Sequence, residues 1–147
     1  YYHDEIGYNM RLEGIQGAIL SVSLKYLPEW NRRRTEVGMR YEREITNPLI
    51  TMQRHPENTT TVYHMFVITV PDHEDFIRYM EKEDVECNMH YPVPCHLQNA
   101  YRFLGYRKGD CPNAEYLASH CVTLPLFPGI TDEEAKRVID LCNAYKG

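Results

Sequence analysis

Residues 121–142 read Cys-Val-Thr-Leu-Pro-Leu-Phe-Pro-Gly-Ile-Thr-Asp-Glu-Glu-Ala-Lys-Arg-Val-Ile-Asp-Leu-Cys, and this run changes its period midway. Cys121 to Leu126 is apolar and partly β-branched, as a buried strand is, and it gives way to Pro128-Gly129, a pair that turns a chain. Thr131 and Glu134 then stand at capping-box spacing, where hydroxyl and carboxylate each satisfy a backbone N–H at the start of a helix. Ala135, Val138, Ile139 and Cys142 follow at intervals of three and four, one apolar stripe. A strand that turns into a helix with a single apolar stripe needs a partner layer, so the rest of the chain has to supply sheet and covering helices.

Working back from that unit, Pro112 suits the first turn of a short helix to about Ser119. Val85, Cys87 and Met89 alternate with polar residues and predict a half-buried strand that delivers His90 to a loop. Asp72 can cap a helix to about Lys82 with Phe76, Ile77 and Met80 on its buried face. Thr59 to Val70 reads as a strand, central because both faces are apolar from Val62 on, and Pro48 to Asn58 as a loop. Pro28 opens a helix to Glu44 with Trp30, Val37 and Tyr41 inward, preceded by a helix from Glu13 to Tyr26 with Ile15, Ile19, Val22 and Tyr26 on one face. The order helix, helix, strand, helix, strand, helix, strand, helix predicts an α/β fold of α+β character, a small mixed sheet covered by helices.

A chain of 147 residues hides roughly 68 to 70% of its unfolded surface on folding, enough for one core. Sixteen basic against twenty-one acidic residues give a net charge of −5, the wrong sign for a protein that neutralises phosphates along a nucleic acid. The longest apolar stretches, Met65 to Val70 and Cys121 to Ile130, are too short to span a membrane, and no signal peptide is evident. Five cysteines without framework spacing read as reduced thiols, hence a cytoplasmic protein in which the sequon at Asn58 is chance. The first methionine is Met10, and the chain reads as a piece of something longer.

The densest functional cluster is His90-Tyr91-Pro92-Val93-Pro94-Cys95-His96-Leu97-Gln98, followed by Tyr101. Two prolines fix φ and remove two donors, making a stiff loop with polar heads, and stiffness lowers the entropy lost on gripping a ligand. Cys87, His90, Cys95 and His96 are also zinc-type ligands, but adjacent Cys95 and His96 diverge in an extended loop, unlike the compact pairs of a zinc site. Cys95 as a nucleophile needs His3, His64 or His120 folded over it. The sequence otherwise makes it a small space-filler. Arg32, Arg33, Arg34 and Arg40 read as a solvated helix face paired by Glu29 and Glu36, with a phosphate patch as the alternative. No dinucleotide or P-loop glycine pattern occurs.

Gly7-Tyr8-Asn9-Met10-Arg11-Leu12, Gln16-Gly17-Ala18, the His90-to-Tyr101 loop, and Leu124-Pro125-Leu126-Phe127-Pro128-Gly129 with Thr131-Asp132-Glu133-Glu134 occur in that order. Together they resemble the C-terminal part of the DegT/DnrJ/StrS family of pyridoxal-phosphate-dependent sugar aminotransferases, over essentially the whole chain. The resemblance implies the type I (aspartate aminotransferase) fold, a homodimer formed through the N-terminal helices, and transfer of an amino group from glutamate to a nucleotide-linked keto-sugar. It implies that about 1–45 are interface helices leading from an absent large domain, and about 46–147 the small domain. The Schiff-base lysine would lie in that large domain, since Lys25, Lys82, Lys108, Lys136 and Lys146 stand in no matching context and read as surface residues. The chain would then be inactive alone.

By the same resemblance Asn9 reaches the cofactor phosphate of the partner subunit, where a neutral amide can donate to a phosphate oxygen. Arg11 matches a residue near the sugar nucleotide's phosphates, a structural ion pair being the alternative, and His90, Tyr91, His96 and Gln98 belong to the loop that meets the nucleotide-sugar. Tyr101 is expected in the core. The Tyr-Pro-Val-Pro-x-His-Leu-Gln form is similar to members that aminate C3 rather than C4. Two rivals remain, a non-catalytic interaction module and a small zinc protein.

Overall fold

The computed structural model describes residues 13–147, so Asn9, Arg11 and His3 lie outside the described residues. Among the described residues the sheet has three strands, β1 (Thr51–Met52), β2 (Phe66–Thr69) and β3 (Cys121–Leu124), with β2 in the centre as its two apolar faces predicted. Both pairings are antiparallel, with Phe66 opposite Leu124 and Thr69 opposite Cys121, so the sheet is not mixed. The chain reverses between successive passes, once through residues 53–65 and once through residues 70–120, which leaves no parallel neighbours.

β2 is shorter than the β-rich run Thr59 to Val70 because Tyr63 takes positive φ, 48°, which breaks an extended strand. β1 lies inside the stretch read as loop. Val85 and Cys87 are buried in alternation as predicted, yet their segment contributes one bridge, Asn88 to Thr123, rather than a strand.

Among the described residues there are five helices, α1 (Gly14–Ser23), α2 (Leu27–Glu44), α3 (His73–Glu81), α4 (Pro112–His120) and α5 (Asp132–Ala144). α5 follows its sequence reading: Thr131 and Glu134 close the capping box, and Ala135, Val138, Ile139 and Cys142 are buried. The Asp72 carboxylate accepts from the Asp75 N–H at the start of α3, and Phe76 and Met80 are fully buried. Tyr41 fills the centre of the core, edge-on to Phe66 at 5.1 Å, with its hydroxyl donating to Pro125 O at 2.9 Å. That bond lets a phenol sit in an apolar site without an unpaired polar atom.

The arginine run of α2 divides. Arg32 pairs with Glu29 and Glu36 on an exposed face, as expected. Arg33 instead donates to Ile130 O at 2.8 Å and Asp132 Oδ1 at 2.7 Å, and Arg34 Nη1 to the carbonyls of Tyr63, His64 and Leu126 at 2.9, 2.9 and 3.2 Å. These half-buried guanidinium groups tie α2 to the turn before α5. N-terminal to them the helix leaves the core: Trp30 is 38% exposed and stacks on Tyr26 instead of packing inward. None of the residues of α1 is buried.

Candidate functional site

The predicted loop leaves the edge of β3. His90 Nδ1 lies 2.9 Å from Thr123 Oγ1, and Tyr91 beside it is 70% exposed with a free aromatic face. Pro94 leads into a 3-10 turn at Cys95–Leu97, and a second runs from Asn99 to Leu104 and ends at Gly105 in the left-handed region, φ 78°. Pro94 thus opens a turn rather than a flat loop, its carbonyl accepting from the Leu97 N–H at 2.9 Å.

His96 points inward. Its side chain is 8% exposed, and Nε2 lies 3.0 Å from Glu115 Oε1. Glu115 also accepts from the Gly109 N–H at 2.7 and 3.0 Å, one distance to each oxygen, and from the Cys111 N–H at 3.3 Å. The Gly109 N–H foremost, then His96 and Cys111, hold the Glu115 carboxyl below the usual carboxylate range, because each bond favours the charged form. Gln98 Nε2 turns back to Val93 O at 3.4 Å. Of the four loop residues, His90 and Tyr91 sit together, ring centroids 5.3 Å apart, while His96 is held from behind by α4.

Two expectations for this region change. Tyr101 is 46% exposed rather than core, and Cys95 is exposed rather than filling space, because the 3-10 turns lift both off the sheet. Cys87 is buried and its thiol is pushed up to about 12 by loss of solvent. Among the described residues no three His, Cys, Asp or Glu side chains are grouped to hold a metal ion.

Sequence reasoning missed Glu115. The available signal was its place in the first turn of a proline-initiated helix, from which a glutamate can reach back to the N–H groups before the helix. A cleft of about 470 Å³ lies between residues 84–88, the end of β3 and α5, lined by Asn88, Thr123, Phe127, Glu134 and Arg137. On the opposite end, Leu20, Leu24, Leu27 and Trp30 line an apolar groove continuous with the exposed Ile15, Ile19 and Val22. Among the described residues no helix is long and apolar enough to cross a membrane.

An antiparallel sheet under helices thus carries an apolar helical end and a proline-shaped polar loop, and comparison with known proteins gives the class to which this arrangement belongs. Residues 1–143 match the model of the DegT/DnrJ/EryC1/StrS aminotransferase family, and the chain belongs to that family. It is 36% identical over 139 residues to the dTDP-3-amino-3,6-dideoxy-alpha-D-galactopyranose transaminase of Aneurinibacillus thermoaerophilus, covering 95% of this chain and 38% of that protein. The chain therefore spans under two fifths of the length of that relative. Among solved structures it matches Streptomyces venezuelae DesV in complex with a ketimine intermediate, with TM-score 0.90 and 30% identity over 97% of this chain and 39% of that one. It also matches the PLP form of the putative sugar aminotransferase Spr1654 of Streptococcus pneumoniae, with TM-score 0.78 and 26% identity over 88% of this chain and 34% of that one.

Proposed function

We propose that this chain is the part of a nucleotide-sugar aminotransferase that carries the substrate loop, and that it does not catalyse by itself. The reading is supported above all by the family match over residues 1–143, together with the likeness to the Aneurinibacillus transaminase over 95% of this chain. Pyridoxal phosphate, when bound, supplies the electron sink through which an amino group passes from glutamate to a keto-sugar. The described residues do not fit its covalent attachment. Lys25, Lys82, Lys108, Lys136 and Lys146 are all exposed, whereas an imine-forming lysine needs burial or a neighbouring charge to lower its pKa.

The chain's own contribution is binding and orientation. Tyr91 can stack its exposed ring on a base or sugar, and His90, His96 and Gln98 supply hydrogen-bonding heads for hydroxyls. Asn9 and Arg11 take the phosphates of cofactor and substrate, Asn9 across a homodimer interface. Residues 1–45 form the helical interface with the rest of the enzyme and its partner subunit, and residues 46–147 the small domain. Amination at C3 is supported by the Tyr-Pro-Val-Pro-Cys-His-Leu-Gln loop and by the 3-amino product named for the Aneurinibacillus relative.

The test is a chimera in which this chain replaces the matching 38% of the Aneurinibacillus transaminase. It should transfer an amino group from glutamate to a nucleotide-linked 3-keto-sugar. A folded chimera that retains pyridoxal phosphate yet aminates no nucleotide-linked keto-sugar would leave the rival, a non-catalytic interaction module, as the better account. Borohydride reduction of the chain alone with the cofactor should label no single lysine stoichiometrically.

A further inference from the structure

Glu115 collects three donors on one carboxylate: the N–H groups of Gly109 and Cys111 and the ring edge of His96. A backbone N–H can only donate, and a carboxylate so engaged can only accept. The imidazole nitrogen facing it must therefore be an N–H, so Nε2 of His96 carries the proton and Nδ1 holds the lone pair whenever the ring is neutral. The two ring nitrogens have been given different tasks.

The same carboxylate also joins three pieces of chain. It sits in the first turn of α4, reaches the 3-10 turn through His96, and reaches the turn around Gly109, whose φ of 98° aims its N–H inward. The backbone bonds of residues 94–111 are local, such as Gln98 N to Cys95 O, Gly105 N to Arg102 O and Asp110 N to Arg107 O. They shape each turn but do not fasten one turn to another.

We infer that Glu115 is a positioning residue of the substrate loop, which fixes His96 in its Nε2–H form and fastens the 3-10 turn at Cys95–Leu97 and the turn at Gly109 to the start of α4, so that the loop is held ready for a sugar-type ligand. Glu115 itself touches no ligand. The inference rests on the reading of residues 90–104 as the sugar-binding loop, and it adds the residue that decides how one of that loop's heads is presented.

Nitrogen-proton correlation spectra of the histidine side chains in the 147-residue chain, at mildly alkaline pH, read the tautomer directly and need no substrate. His96 should show a protonated Nε2 and a bare Nδ1. In Glu115→Gln the amide can offer its own N–H to the ring, so the two forms of His96 should mix while His73 and His90 stay unchanged. Amide exchange at Gly109 and Cys111 should accelerate together. A wild-type His96 protonated on Nδ1 overturns the assignment without recourse to any variant. An unchanged tautomer in Glu115→Gln overturns it too, as does global loss of spectral dispersion, because the residue would then hold the fold rather than the loop.

In the active chimera the same substitution should raise KM for the keto-sugar nucleotide about ten-fold while leaving KM for glutamate alone. An equal rise in both contradicts a role confined to the sugar loop. An inactive wild-type chimera counts against the aminotransferase reading, and the spectra then still decide what Glu115 does.

Discussion

Gly38 lies against the face of Tyr63, so close that a Cβ at position 38 would meet the ring atoms at 2.5 Å. Tyr63 takes φ 48°, stacks on Phe66 at 5.7 Å and leaves its carbonyl to Arg34. One missing side chain on α2 thus admits the ring that delays the start of the predicted strand to Phe66. Gly38→Ala should destabilise the chain by about 1 to 3 kcal/mol, the usual cost of overpacking, even though alanine is the better helix former. Denaturant unfolding measures it, and a stabilised variant would show that the ring can move away without loss.

Thr131→Ala removes the hydroxyl that accepts from the Glu134 N–H at 3.1 Å and should cost about 1 kcal/mol. The partner carboxylate adds a pH dependence. The Thr131 N–H foremost holds Glu134 below its ordinary pKa, Arg33 does the same to Asp132, and Arg43 with Arg40 to Glu44. A depressed folded-state pKa gives stability that is complete above the unfolded value and is lost as pH falls through the folded one. The unfolding midpoint should therefore be level near neutrality and decline on acidification through and below the carboxylate range. Glu134→Gln should make that decline shallower in a midpoint-against-pH series.

These two cases show what could be read in advance. The capping box and the stripe Ala135, Val138, Ile139 and Cys142 are local, so spacing alone announces them. The start of β2 depends on Gly38 making room for Tyr63, a contact between segments far apart in sequence, and no local pattern carries it. The antiparallel sense of the sheet is likewise settled by how the connections return. In the loop, the residue types were legible and their orientations were not. His96 turns inward because Glu115 is charged, and Glu115 is held by backbone N–H groups, which every residue except proline possesses. Asn9 and Arg11 stood out only through resemblance to a family.

Arg34 was read as part of a solvated face, yet its guanidinium spans three carbonyls from two distant segments. All three bonds come from one charged nitrogen, Nη1, and a methionine of similar reach has no N–H to offer the carbonyls. Arg34→Met should thus cost about 1.5 to 3 kcal/mol, the range for hydrogen bonds to a charged group, while Arg32→Met on the exposed side of the same helix should change stability by less than about 0.5 kcal/mol. Paired thermal or denaturant melts check the contrast. Equal effects at both positions would return the whole run to the solvated-face reading.

Ile15, Ile19 and Val22 are 76%, 61% and 58% exposed on α1, and the groove beside them is lined by Leu20, Leu24, Leu27 and Trp30. A continuous apolar surface of this kind drives association when its cover is missing. The isolated chain should form oligomers, or a concentration-dependent mixture, in sedimentation velocity and should bind a dye that reports exposed apolar surface. Because α1 contributes no buried residue, charging it should leave the core alone. Ile19→Glu with Val22→Lys, three residues apart on the same face, should shift the chain to monomer and abolish dye binding, with the denaturation midpoint changed little. The same double variant in the active chimera should weaken the assembled enzyme, because the face is then needed by its partner. A wild-type chain that stays monomeric on concentration and binds no dye would mean that this face is not an interface, and the proposed boundary near residue 45 would fall with it.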